Sequence, residues 1–221
     1  MATATKEKTL DEILSEEPQI VTVHVAIEGL PPGMYQGSKG LMEKQSGTIG
    51  KPKHLPPAEE ARLRAHWCAT GRQKNPTTPC IPWVCIFNSI VEAGKDLKIK
   101  GQGMKRWAGL LAAIISCPDD NIPLLVTEGK GFATFDVKED WVRIPPKTGA
   151  MVKVGRPFYP KWRVEFDMNI DATYLDQDGI QTVGLLLVQA GNKIGLGPWR
   201  PQLKGPNGKF RVTQFDIEEL A

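Results

Sequence analysis

Between residues 191 and 211 the chain gathers five cations, Lys193, Arg200, Lys204, Lys209 and Arg211, among five glycines, with no acidic residue in the stretch. Lys and Arg donate to phosphate oxygens, and glycine lets a backbone approach a ligand closely. Amides near Gly195 and Gly197 can donate to phosphate where side chains do not reach. Trp199 stands between Pro198 and Pro201, where an indole has little chance of entering a core. Residues 156–163 hold a second cluster: Arg156, Lys161 and Arg163, with Phe158, Tyr159 and Trp162 interleaved. Cations of this kind track a sugar-phosphate backbone, while aromatic faces stack on bases at about 1–3 kcal/mol per base. The pattern is that of a grip on a single-stranded polyanion.

Other chemistry finds less support. No G-x-x-x-x-G-K-[ST] motif is present, and Gly195-Leu196-Gly197 follows an apolar, helix-like run instead of preceding one, which argues against a nucleotide pocket. His66, Cys68, Cys80 and Cys85 do not have the spacing of a compact zinc site, so the thiols are expected to be reduced core residues. Asp167, Asp171, Asp176 and Asp178 are close in sequence and invite a divalent metal. Asp167 falls in a strand pattern, however, and Asp176 at a helix start. His54 and His66 have no recognisable Ser or Cys partner. No catalytic residue, metal or cofactor is therefore expected, and a metal-dependent nuclease is the weakest reading.

The positioning elements follow from periodicity. Ile20 to Glu28 alternates cleanly and predicts a strand, with Val21, Val23, Val25 and Ile27 on one face and His24 as a paired sheet residue on the other. Residues 30–57 are broken by Pro and Gly and carry Lys39, Lys44, Lys51 and Lys53. A loop of that length is either a functional insertion or disordered. A short helix is expected from Pro57, a break over 71–82, and a helix over 83–95 with a stripe at Trp83, Ile86, Phe87, Ile90 and Val91. Lys98, Lys100, Lys105 and Arg106 make a turn or a further basic patch. Residues 109–117 fit a strand or a buried helix. Short strands are expected at 124–127, 132–136 and 141–144, and stronger ones at 151–155 and 162–170, the latter two joined by a linker at 156–162. A helix over 179–190 should end at Gly191. Asp119 and Asp120 read as a turn, and the last strand starts at Phe210.

Reduced to its strongest members, this is a βαββαβ order. It predicts an α+β, ferredoxin-like (RRM-like) single domain over 19–216, with insertions at about 30–80 and 98–150. A flexible acidic segment over 1–18 precedes it and an acidic tail over 217–221 follows. The net charge is +3, but setting aside residues 1–20 and 216–221 leaves 26 basic and 17 acidic residues, a body of about +9 that suits an anionic partner. No run approaches the ~20 apolar residues of a membrane helix, and the first residues lack an apolar signal region, so a cytoplasmic protein is expected.

The residues Ile194 to Gly197, Arg200, and Gly205 to Gly208 leading into Lys209 to Val212 form a glycine-rich basic loop between the second helix and last strand. In that place it resembles the loop of the RAMP superfamily, the RNA-binding subunits of CRISPR effector complexes. The resemblance implies a backbone-type subunit that polymerises along a guide RNA, with 30–57 similar in position to a thumb-like insertion. Pro198, Trp199 and Pro201 depart from that pattern, and no residue matches a catalytic Asp or His of the nuclease members. The expected function is non-enzymatic binding of single-stranded RNA, or less readily DNA, as a filament or complex subunit. A phage or mobile-element assembly protein docking on an acidic protein surface is the alternative.

Overall fold

Alternation decides the first strand: Val21, Val23, Val25 and Ile27 all turn into the core, as a period of two requires. The computed structural model describes residues 19–37, 55–68, 77–99, 106–143, 151–173 and 175–218. The expected N-terminal segment 1–18, most of the basic loop (38–54), Lys100 and Lys105 of the basic patch, and the tail from 219 lie outside the described residues. In chain order the elements are β1 (Ile20–Gly29), β2 (Met34–Tyr35), α1 (Pro57–Arg64), β3 (Trp67–Cys68), β4 (Thr78–Pro82), α2 (Trp83–Ala93), α3 (Trp107–Ile114), β5 (Ile115–Ser116), β6 (Asn121–Pro123), β7 (Asp136–Arg143), β8 (Met151–Tyr159), β9 (Arg163–Asp171), α4 (Gln177–Gln189) and β10 (Phe210–Ile217). The fold is α+β.

The main sheet has the order β10–β1–β9–β5, with every neighbouring pair antiparallel. One face carries Val23, Val25 and Ile27 of β1 with Val164, Phe166, Met168 and Ile170 of β9. It packs into one core with Ile86 and Ile90 of α2 and Val183, Leu186 and Leu187 of α4. Burying each of these side chains is worth about 1.5–3 kcal/mol, so this layer supplies most of the driving force for folding. Asp176 caps α4 by accepting from the Gly179 amide at 2.8 Å.

A second sheet, β2–β8–β7, is the longer hairpin of the molecule with a two-residue strand added. Helix α1 lies against it so closely that a Cβ at Gly155 would sit 2.0 Å from the Pro57 carbonyl oxygen. The buried Glu60 carboxylate fixes the contact. It accepts from Arg64 Nη2 at 2.7 Å and from the Gly155 amide at 2.8 Å. The third sheet, β3–β4–β6, is tied in by Gln36, which donates to the Cys80 carbonyl at 2.7 Å and accepts from the His66 amide at 3.0 Å.

Several expectations need correction. The linker over 156–162 is mostly strand, because β8 runs on to Tyr159 through Pro157. The expected break over 71–82 contains β4. Residues 109–117 are both things in turn, the last part of α3 and then β5, and of the strand expected at 141–144 the described residues 141–143 are the end of the longer β7. The strands expected at 124–127 and 132–136 come down to the single bridges of Leu125 with Phe132 and Arg163, apart from Asp136, which opens β7. Lys98 and Arg106 of the basic patch form an antiparallel bridge with each other. Helix α4 does not end at Gly191. It widens into a π turn over Ala190–Ile194 and stops at Gly195, whose φ is 74°. Gly191 is needed for a close approach instead: a Cβ there would lie 2.2 Å from the Phe210 carbonyl oxygen.

Candidate nucleic-acid interface

The glycine-rich stretch folds onto itself. Gly195 donates to the Ala190 carbonyl, Leu196 to Gly208, Gly205 to Arg200, Asn207 to Trp199, and Gly208 to Gly33, at 2.7–3.1 Å. The amides of Gly195, Gly205 and Gly208 are therefore engaged within the protein, so of the two glycines suggested as phosphate donors Gly195 is already committed to the Ala190 carbonyl. The glycines serve packing. A Cβ at Gly208 would lie 1.8 Å from the Leu196 oxygen, and one at Gly197 2.1 Å from the Tyr35 oxygen. Leu196 is buried in the main core, which anchors the loop from beneath. The outcome is a stiff platform laid against β2.

Trp199 is the feature this platform holds up. Its φ of 55° is left-handed, a conformation that costs a bulky residue about 1–3 kcal/mol and persists only where its surroundings dictate it. Its carbonyl is held by Asn207, yet its side chain stays 43% exposed. The indole meets Tyr35 edge-on, with centroids 5.4 Å apart, and the Arg156 guanidinium lies 5.7 Å from the ring centroid. Tyr35 packs on Phe158, its cross-strand partner, at 4.7 Å, and Lys138 Nζ lies 5.5 Å from the Phe158 centroid. Four separate segments, β2, β7, β8 and the loop, thus build one face of aromatic rings and cations. Sequence reasoning named Trp199 and Arg156 as site residues but missed Tyr35 and Lys138. The available signal was the Met34–Tyr35 pair between glycines, hidden in a stretch read as loop.

Arg156 also faces Asp140 across the hairpin, Nε to Oδ2 at 3.6 Å, an ion pair without a hydrogen bond. Burial pushes the Asp140 carboxyl up and the Arg156 guanidinium down, each partly opposed by the other's charge. The remaining predicted cations divide. Arg200 is folded back on its own loop, donating to Gln202 Oε1 at 2.8 and 3.0 Å and to the Gly197 carbonyl at 3.2 Å. Arg163 pairs with Glu165, and Arg211 with Glu28 at 2.5 Å, both on the open face of the main sheet. Lys161, Lys193, Lys204 and Lys209 are exposed and make no ion pair among the described residues. Trp162 and Tyr159 are wholly buried; Trp162 packs on Phe210, and a Cβ on Gly29 would collide with its ring. They hold the core and are not free to stack on bases.

The open face of the main sheet has a different character. The register aligns Glu28 with Arg163 and Arg211, Ala26 with Glu165 and Gln214, His24 with Asp167 and Asp216, and Ile20 with Asp171. No aromatic ring lies in these rows. His24 is clasped by Asp167 and, at 2.8 Å, by Glu218. Hydrogen bonds from Asp167 first and Glu218 second raise its pKa. Asp171 accepts from the Thr173 amide at 3.0 Å, and Asp176 caps α4, so three of the four aspartates considered for a metal, Asp167, Asp171 and Asp176, hold His24, a turn and a helix end. Among the described residues no group of three or more His, Cys, Asp or Glu is placed to hold a metal ion. Burial, with Cys68 nearby, pushes the Cys80 thiol up to about 12, and burial also raises Cys85 and Cys117, leaving all three poor nucleophiles. No helix among the described residues is long and apolar enough to cross a membrane.

No protein-family model matches the chain, and no curated protein matches it. Its fold does resemble a solved one. A chain in the cryo-EM structure of the Type III-B Cmr-beta bound to cognate target RNA superposes with a TM-score of 0.50 at 14% sequence identity. The match covers 96% of this chain and 65% of that chain, so this protein spans about two thirds of its neighbour's length.

Proposed function

We propose that this protein is a non-enzymatic, cytoplasmic subunit that binds single-stranded nucleic acid, RNA in preference to DNA, within a multi-subunit effector assembly of the CRISPR type. The observation that carries the proposal is the cationic and aromatic face around Trp199; Lys161, Lys193, Lys204 and Lys209 are exposed and have no acidic partner among the described residues. The likeness to a chain of an RNA-bound Type III-B complex supports this reading at the level of fold. The order β10–β1–β9–β5, with α2 and α3 before β5 and α4 before β10, supports the ferredoxin-like assignment and with it the RAMP relation.

The grip on the strand differs from that of an open-sheet RNA binder. RNA-recognition sheets stack bases on aromatic residues of the open face. Here that face carries Glu28, Glu165, Asp167, Asp171, Asp216 and Glu218 against Arg163, Arg211 and His24, and it repels phosphate. The strand instead runs along the loop, with Lys161, Lys193, Lys204 and Lys209 meeting phosphates. Arg200 acts indirectly by bracing the loop, while Arg163 and Arg211 balance carboxylates. Filter binding of single-stranded RNA and DNA across a salt series tests this directly. Steep loss of affinity with salt is expected, and absence of binding at low salt would overturn the proposal. Recovery of the protein in a stable protein complex free of nucleic acid would favour the assembly-protein alternative.

A further inference from the structure

Six side chains from four segments meet at one face of the β2–β8–β7 sheet: Tyr35, Lys138, Asp140, Arg156, Phe158 and Trp199. We propose that this face is a stacking site for a single unpaired base, with Trp199 as the ring that receives it. The inference rests on the nucleic-acid reading above and goes further, by assigning contact with a base to a place where that reading required only contact with phosphate.

Three observations point to a base. First, Trp199 is presented and not buried. It is held in a left-handed backbone conformation by the Asn207 hydrogen bond and the close approach of Gly205, and 43% of it remains exposed. Second, the rings sit beside cations, Arg156 at Trp199 and Lys138 at Phe158, at 5.7 and 5.5 Å. A base stacked there gains from the aromatic surface while its own phosphates neutralise those cations. Third, the polar groups beneath are incompletely satisfied. Arg156 Nε and Asp140 Oδ2 are buried, stand 3.6 Å apart, and have no hydrogen-bond partner among the described residues. A donor and an acceptor left open side by side suit the hydrogen-bonding edge of a base. A double helix would hide such an edge, so the site selects single strands.

The test compares a labelled single-stranded oligouridine with a fully abasic strand of the same length, which keeps every phosphate. Wild-type protein should bind the base-bearing strand about tenfold more tightly. Trp199→Ala should remove that difference by weakening the base-bearing strand, and Trp199→Phe should keep most of it. Circular dichroism and unfolding of the variants would check that they fold. If wild-type protein binds both strands equally, the stacking site is overturned while the phosphate grip stands. If neither strand binds at low salt, both proposals fail. Equal weakening of both strands by Trp199→Ala would assign the indole to loop structure or a protein contact, and would also overturn the inference.

Discussion

Two surfaces of this molecule are both exposed and both rich in charge, yet they suit opposite partners. The open face of the main sheet mixes Glu28, Glu165, Asp167, Asp171, Asp216 and Glu218 with three basic groups, and pairs most of its charges internally. The face around Trp199 sets Arg156 and Lys138 against aromatic rings, and the exposed Lys193, Lys204 and Lys209 of the loop make no ion pairs among the described residues. Total charge does not separate them, because Arg163 and Arg211 add to the basic count while standing on the acidic side. Hydrogen-bonded pairing separates them: Arg211 is held by the Glu28 carboxylate at 2.5 Å and has little left to offer a phosphate, whereas Arg156 meets Asp140 at 3.6 Å without a hydrogen bond and Lys138 makes no ion pair among the described residues.

The largest effect should come from removing the unpaired charges. Replacing Lys193, Lys204 and Lys209 together by Ala should lower RNA affinity about 100-fold at low salt and reduce the slope of log K against log salt by about 2. Glu165→Gln on the sheet face should leave affinity within about twofold, since it adds no contact to the strand. If the second change strengthened binding as much as the first weakened it, the two faces would not differ as described.

Next in size is the support beneath the aromatic face. Glu60→Ala leaves Arg64 and the Gly155 amide without their buried partner, and should cost about 3 kcal/mol in urea unfolding. Gly208→Ala must place a Cβ 1.8 Å from a carbonyl in a left-handed conformation, and should destabilise the fold and weaken RNA binding. Gly109→Ala meets no atom within 4 Å and lies exposed in α3, so it should raise stability by about 0.5–1 kcal/mol. Equal effects at the two positions would mean that the loop is not self-packed.

The smallest effect belongs to the acidic face. Folding raises the His24 pKa through Asp167 and Glu218. Its stabilising contribution is therefore full below the unfolded value of about 6.5 and is lost as pH rises through the higher folded value. Thermal midpoints of wild type and His24→Asn should converge above that value and separate below it. The imidazole titration followed by NMR should fall above the free-histidine range.

The main sheet was readable in the sequence because its signals are local. Val21 to Ile27 alternate, Ile86 and Ile90 keep helical spacing, and Asp176 stands where a cap must stand. The basic loop was readable as chemistry, though the reason for its glycines was not. Gly208 and Gly197 look in sequence like room for a ligand, whereas their neighbours are Leu196 and Tyr35, the second of them more than 160 residues away along the chain. The aromatic residues of 156–163 divided for a similar reason. Strand pleating turns Phe158 toward Tyr35, and Trp162, just beyond the strand, falls into the core against Phe210. Pro157 disguised the strand that does this. Which cations have carboxylate partners depends on strand register, and no local pattern carries that information.

The central claim, that a single strand lies on the loop and hairpin face and not on the open sheet, is tested most directly by photocrosslinking. A strand carrying 4-thiouridine would be bound at low salt, irradiated, and its adducts mapped by peptide mass spectrometry. The account predicts adducts on the peptides holding Tyr35, Phe158 and Trp199. Adducts confined to the peptides of β1 and β9 that carry His24, Glu165 and Asp167 would contradict it.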